Sequence, residues 1–109
     1  MRKMKTKVAL PCKISAGGFS DEITFKISVS DGEYLGTASK RYFWRENDEP
    51  IGELEVGTWT KGKMAARVLQ KEDDRHVLVS IPDGEVVSVD QARLLERPSE
   101  LEEHVPLRP

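Results

Sequence analysis

Gly62-Lys63-Met64-Ala65-Ala66-Arg67-Val68-Leu69 is followed by a polar turn, Glu72-Asp73-Asp74-Arg75, and then by His76-Val77-Leu78-Val79-Ser80-Ile81. Pro82-Asp83-Gly84-Glu85 turns the chain again, and Val86-Val87-Ser88-Val89 leads into Asp90-Gln91-Ala92-Arg93-Leu94-Leu95. Short β-branched runs separated by turn residues read as strands of an antiparallel meander, with a closing turn and an apolar anchor at the end. The stretch from Trp59 to Arg97 therefore predicts a small antiparallel barrel.

The same logic extends toward the start of the chain. Val8, Leu10, Cys12 and Ile14 alternate with Ala9, Pro11 and Lys13, the period of a strand. Pro11 has no N–H to give a ladder, so this strand is expected at an edge or broken there. Ser15-Ala16-Gly17-Gly18 reads as a turn or bulge. The clearest alternation is Glu22 to Val29, where Ile23, Phe25, Ile27 and Val29 face a core and Thr24, Lys26 and Ser28 face water. Asp31-Gly32 signals a hairpin, and the return strand is expected from Glu33 to Tyr42 or Trp44, with a bulge or sharp coil at Gly36. Arg45 to Gly52 is a polar loop, and Glu53 to Thr60 shows no clear period.

These readings give an all-β chain: a small antiparallel barrel of five to seven short strands. Residues 1–97 form a single barrel domain and residues 98–109 a flexible or partner-docked tail. Its core is expected to hold Leu10, Cys12, Ile23, Phe25, Ile27, Val29, Val68, Val77, Val79, Ile81, Val87, Val89 and Leu94. In the tail, Ser99 and Glu102 have capping-box spacing, and Pro106-Leu107-Arg108-Pro109 spells a minimal Pro-x-x-Pro.

The segment from Lys63 to Arg97 resembles the later strands of Tudor-like and related SH3-like barrels. Ala66-Arg67-Val68, Val77-Leu78-Val79-Ser80-Ile81, Asp83-Gly84-Glu85, Val87-Ser88-Val89 and Ala92-Arg93-Leu94 carry the resemblance, with Trp59 near the place of the aromatic that often precedes the Ala-x-Val strand. The resemblance implies an SH3-like barrel and a binding role. It stops short of a methylated ligand. Tudor-like readers hold methylated cations on a cage of ring faces. Here Ile81-Pro82 stands before Asp83-Gly84, and only Trp59 offers a ring around the meander.

The 109 residues suffice for one compact domain, and 38% hydrophobic with 33% charged residues fits a folded, well-solvated chain. The net charge of −2 hides an asymmetry: residues 1–45 carry nine Lys/Arg against four Asp/Glu, residues 46–109 eight against fifteen. Interleaved barrel strands would mix these signs in space. The single cysteine, Cys12, excludes an internal disulfide and reads as buried filler. The basic start is followed by an apolar stretch broken at Pro11, so neither a signal peptide nor a spanning helix is expected, and the expected compartment is the cytoplasm.

Lys40-Arg41-Tyr42-Phe43-Trp44-Arg45 is the strongest binding candidate, three cations interleaved with three aromatics. Such a strip can stack bases and neutralise phosphate, or pair an acidic peptide. As a strand it would place Tyr42 and Trp44 on one face and Arg41, Phe43 and Arg45 on the other, so it equally fits an amphipathic strand end with one face in the core. Glu46, Asp48 and Glu49 follow at once and weaken the phosphate version. Trp59 is either a second element of that surface or a core plug.

Lone His76 and His104 lack metal-ligand spacing, so no metal site and no cofactor are expected. No nucleophile turn or Gly-rich phosphate loop is present, so no enzyme activity is expected. The expected function is a non-catalytic binding module using Lys40, Arg41, Tyr42, Trp44, Arg45 and Trp59, with a protein partner ahead of nucleic acid given the pI of about 5.7. A nucleic-acid-associated barrel and a structural subunit paired through a strand edge in a homo-oligomer are the alternatives.

Overall fold

The computed structural model describes residues 6–98. The tail features at Ser99–Glu102, His104 and Pro106–Pro109 lie outside the described residues. Seven strands follow in order: β1 Lys7–Ala16, β2 Glu22–Val29, β3 Gly32–Ser39, β4 Phe43–Arg45, β5 Thr60–Lys71, β6 His76–Ser80 and β7 Val86–Asp90. All pairings are antiparallel, in the spatial order β3-β2-β1-β5-β6-β7, with β4 added on β5. The sheet curls as a half-barrel. Its far strands meet where Ser30 N–H donates to Ser88 O at 2.8 Å and Tyr34 Oη donates to Asp83 Oδ2 at 2.5 Å.

Alternation builds these strands as the sequence suggests. Ile23, Phe25 and Ile27 of β2 are buried, as are Met64, Ala66 and Val68 of β5 and Val77 and Val79 of β6. Ten of the thirteen expected core residues are buried; Val29, Val87 and Leu94 are half-buried and pack against them. Val8, Ile14, Phe43, Ile51, Met64 and Ala66 complete the core. Phe25 is its centre, with ring centroids 5.7 Å from Phe43 and 6.1 Å from Tyr34.

Pro11 sits where its missing N–H costs nothing. Ala9 N–H points away from β5 and bonds Leu95 O, so Pro11, two residues on, faces the same edge, between the Leu95 bridge and the start of the β2 pairing at Lys13. β5 is longer than its sequence pattern suggested. Its register shifts between Val68 and Gln70, which leaves Leu69 exposed and adds the local twist that curls the sheet.

Three expectations change. First, the hairpin closes one residue earlier: Val29 pairs with Gly32, so Ser30-Asp31 is the loop and only Gly32 has a positive φ, 142°. Second, Gly36 forms no bulge, since β2 and β3 stay in register past it. It is a close approach instead, where a Cβ would lie 2.7 Å from Asp83 Oδ2 and 2.9 Å from the Phe25 ring. Third, the return strand stops at Ser39, whose hydroxyl accepts Arg41 N–H at 3.4 Å and starts a single 3-10 turn, Lys40–Tyr42. That turn breaks the alternation expected for residues 40–45.

Burial pushes the Cys12 thiol up to about 12, which keeps it protonated. Because the thiolate is the reactive form, the native protein at neutral pH is expected to give no colour with a disulfide thiol reagent, and one equivalent per chain after unfolding in denaturant. Rapid labelling of the native protein would contradict the burial.

The Asp83 carboxylate, through its hydrogen bond to the phenol, raises Tyr34 from 10.0 to about 12. A raised folded pKa gives stability that is whole below pH 10 and lost as pH climbs toward about 12. Thermal melts are expected to show wild type losing more stability across that window than Tyr34→Phe. Parallel curves would remove the Tyr34–Asp83 contact from barrel closure.

Candidate functional site

One edge of β5 is paired with β1 from Thr60 to Arg67. Its other edge is shared. β4 covers Gly62–Met64, and β6 begins at Arg67. Among the described residues, Ala65 and Ala66 therefore have no strand partner on that edge. The seam between β4 and the end of β6 opens there into a groove of about 780 Å³.

The turn Lys40–Tyr42 forms one wall and Ser80-Ile81-Pro82 the other. Between them the core residues Phe43, Ile51 and Ile81 reach the groove, with Trp44 and Ala65 on the sheet's outer face. The rim is basic. Among the described residues, Lys40, Arg41, Arg67 and Arg97 line it against a single acid, Asp21. Asp21 O accepts Lys40 N–H at 2.7 Å and holds the turn against the β1–β2 connection. Arg97 bridges the β1–β5 ladder, with Nε donating to Val8 O at 3.1 Å and Nη2 to Ala66 O at 2.6 Å. Its segment is anchored a further time, since Leu95 and Ala9 exchange two backbone hydrogen bonds of 2.9 Å.

Four of the six residues singled out from sequence meet at this groove: Lys40, Arg41, Tyr42 and Trp44. They do so in a different arrangement from the one expected. Tyr42 is 37% exposed and Trp44 only 3%, so they share no face. Phe43 pairs with Met64 and points into the core, while Trp44 pairs with Lys63 on the opposite face and is buried there too, its backbone bridged to Pro50. Of the three rings, Tyr42 alone is exposed, and the Arg41 guanidinium lies 5.3 Å from its centroid.

Arg45 and Trp59 do not belong to the groove. Arg45 is half-buried, and its N–H donates to Glu49 O at 2.7 Å, closing the loop after β4. Trp59 precedes β5 at the other end of the sheet, 39% exposed, with Lys26 Nζ 4.5 Å from its ring centroid. The sequence reading missed Arg67 and Arg97. Arg67 was within reach, because Met64, Ala66 and Val68 facing inward turns it outward. Arg97 was not, since its contacts with Val8 and Ala66 lie 89 and 31 residues away along the chain.

A second polar cluster lies on the outer face of β6 and β7. His76 Nδ1 is 3.0 Å from Asp73 Oδ1, and Ser88 Oγ donates to Glu72 Oε1 at 2.5 Å. The serine thus turns to Glu72 and the neighbouring Ser30, not to the histidine, and no nucleophile–base pair forms. Among the described residues no group of three His, Cys, Asp or Glu side chains is placed to hold a metal ion, and no helix is long and apolar enough to cross a membrane.

No protein-family model matches the chain, and comparisons with curated proteins and with solved structures find no match.

Proposed function

We propose that this protein is a non-catalytic binding module whose seam groove takes an extended acidic peptide carrying an apolar side chain. The observation that carries the reading is the pairing, among the described residues, of an apolar base with four cations and one carboxylate on the rim, in a chain whose net charge is negative. The apolar floor keeps water from beneath the rim and so strengthens charge pairing there, and the guanidinium groups of Arg41 and Arg67 suit carboxylates by bidentate pairing. The strand-free edge at Ala65 leaves room for one backbone of the ligand beside β5. Nucleic acid fits less well, because base stacking needs accessible rings and two of the three candidate rings are buried.

The test is an array of short peptides graded from acidic to basic, each with one central Leu or Phe, with a mixed single-stranded oligonucleotide beside it. Acidic peptides are expected to bind, more weakly as salt rises. Arg41→Glu with Arg67→Glu is expected to lower that affinity at least about tenfold with little change in stability, since both side chains are exposed. Oligonucleotide binding in preference to every peptide, or peptide binding unchanged by the double reversal, would overturn the proposal.

A further inference from the structure

Resting on the reading of the groove given above, we infer that it has a ligand within its own chain, the acidic segment from Ser99 to Val105. The chain is delivered to the groove. Leu95 is bridged to Ala9, and Arg97, which lines the groove, is fixed across the β1–β5 ladder to Val8 O and Ala66 O. The chain leaves the described residues one position later, at Pro98.

Ser99-Glu100-Leu101-Glu102-Glu103-His104-Val105 has the chemistry the groove selects. Three carboxylates meet the rim cations Lys40, Arg41 and Arg67, and two apolar side chains meet the apolar base. Leu101 and Val105 are four residues apart, so they share a face whether the segment is extended or forms a helical turn. Seven extended residues reach about 23 Å, ample to cross a groove entered from its own wall. Tethering so close to the site gives an effective concentration on the order of millimolar, so even a weak contact is populated. The segment therefore competes with an external acidic peptide, and partner binding releases it.

The test uses the full chain with a nitroxide attached at H104C. Cys12 is buried with a protonated thiol, so the label goes to the introduced site. Amide signals of Arg41, Ala65 and Arg67 are expected to broaden, while that of Trp59 at the other end of the sheet stays sharp. Adding Glu100→Lys, Glu102→Lys and Glu103→Lys to the labelled chain should restore the broadened signals. Absent or surface-wide broadening would overturn the inference. So would broadening seen only between labelled and unlabelled copies in a mixture, which would mean that a second copy supplies the segment. If acidic peptides bind the groove while the nitroxide leaves it sharp, the inference fails and the proposed function stands. If neither occurs, both fail.

Discussion

Phe25→Ala is expected to cost about 3–5 kcal/mol of folding stability, the range for removing a buried aromatic. Phe25 is fully buried at the middle of β2, and its ring is the one shared by two others, Phe43 on β4 and Tyr34 on β3. Its loss opens a cavity that three strands border, and those strands are tied into hydrogen-bonded ladders that limit collapse. The edge of the ring also packs against Gly36, whose missing side chain makes room for it. Since domains of this size are typically stable by about 5–15 kcal/mol, the substitution removes a large share of the whole. Urea unfolding should show a lower midpoint with an unchanged slope. A loss below about 1 kcal/mol would mean that Phe25 is not the centre of the core.

Trp44→Ala is expected to cost a similar amount, about 3–5 kcal/mol, and to abolish peptide binding as well. Trp44 is buried on the outer face of the sheet, where one would expect solvent, and the loop after β4 folds back beside it through the backbone bridge to Pro50. Arg45 N–H to Glu49 O, and Lys63 Nζ to Asp48 Oδ1 at 2.5 Å, close the same loop over β5. Removing the indole leaves a cavity at a buried position and takes away the part of the groove beside Ala65. Trp44→Phe keeps a ring there and should recover most of the stability and a measurable part of the binding. If Trp44→Ala stayed as stable as wild type and bound peptide normally, the groove would not be built on this residue.

The contrast between these two residues shows what the sequence could reveal. Phe25 lies in an uninterrupted run of alternation, and one sheet face is enough to explain it. Trp44 lies past a 3-10 turn whose only local cause is the Ser39 cap, and its backbone is bridged to a loop residue six positions on. Residues 40–45 therefore do not alternate faces as a strand would. Basic and aromatic composition still located four of the groove residues, because the rim must be solvated and the base must not. Trp59 shares only its residue type with them, and three-dimensional placement separates it, with Lys26 rather than the groove cations over its ring. The β6–β7 hairpin was legible because turn chemistry at Pro82-Asp83-Gly84-Glu85 is local; Gly84 takes φ 94° there and donates to Ile81 O at 2.9 Å. Arg97 was not legible, because no period connects it to Val8 and Ala66.

The proposed binding is at the seam between β4 and β6. The measurement that tests it most directly is amide chemical-shift mapping of the full chain titrated with the tightest acidic peptide from the array. The largest shifts are expected at Arg41, Tyr42, Ala65, Arg67 and Ser80, around the strand-free position of β5. Shifts centred instead on Lys26 and Trp59, with the seam unmoved, would contradict it.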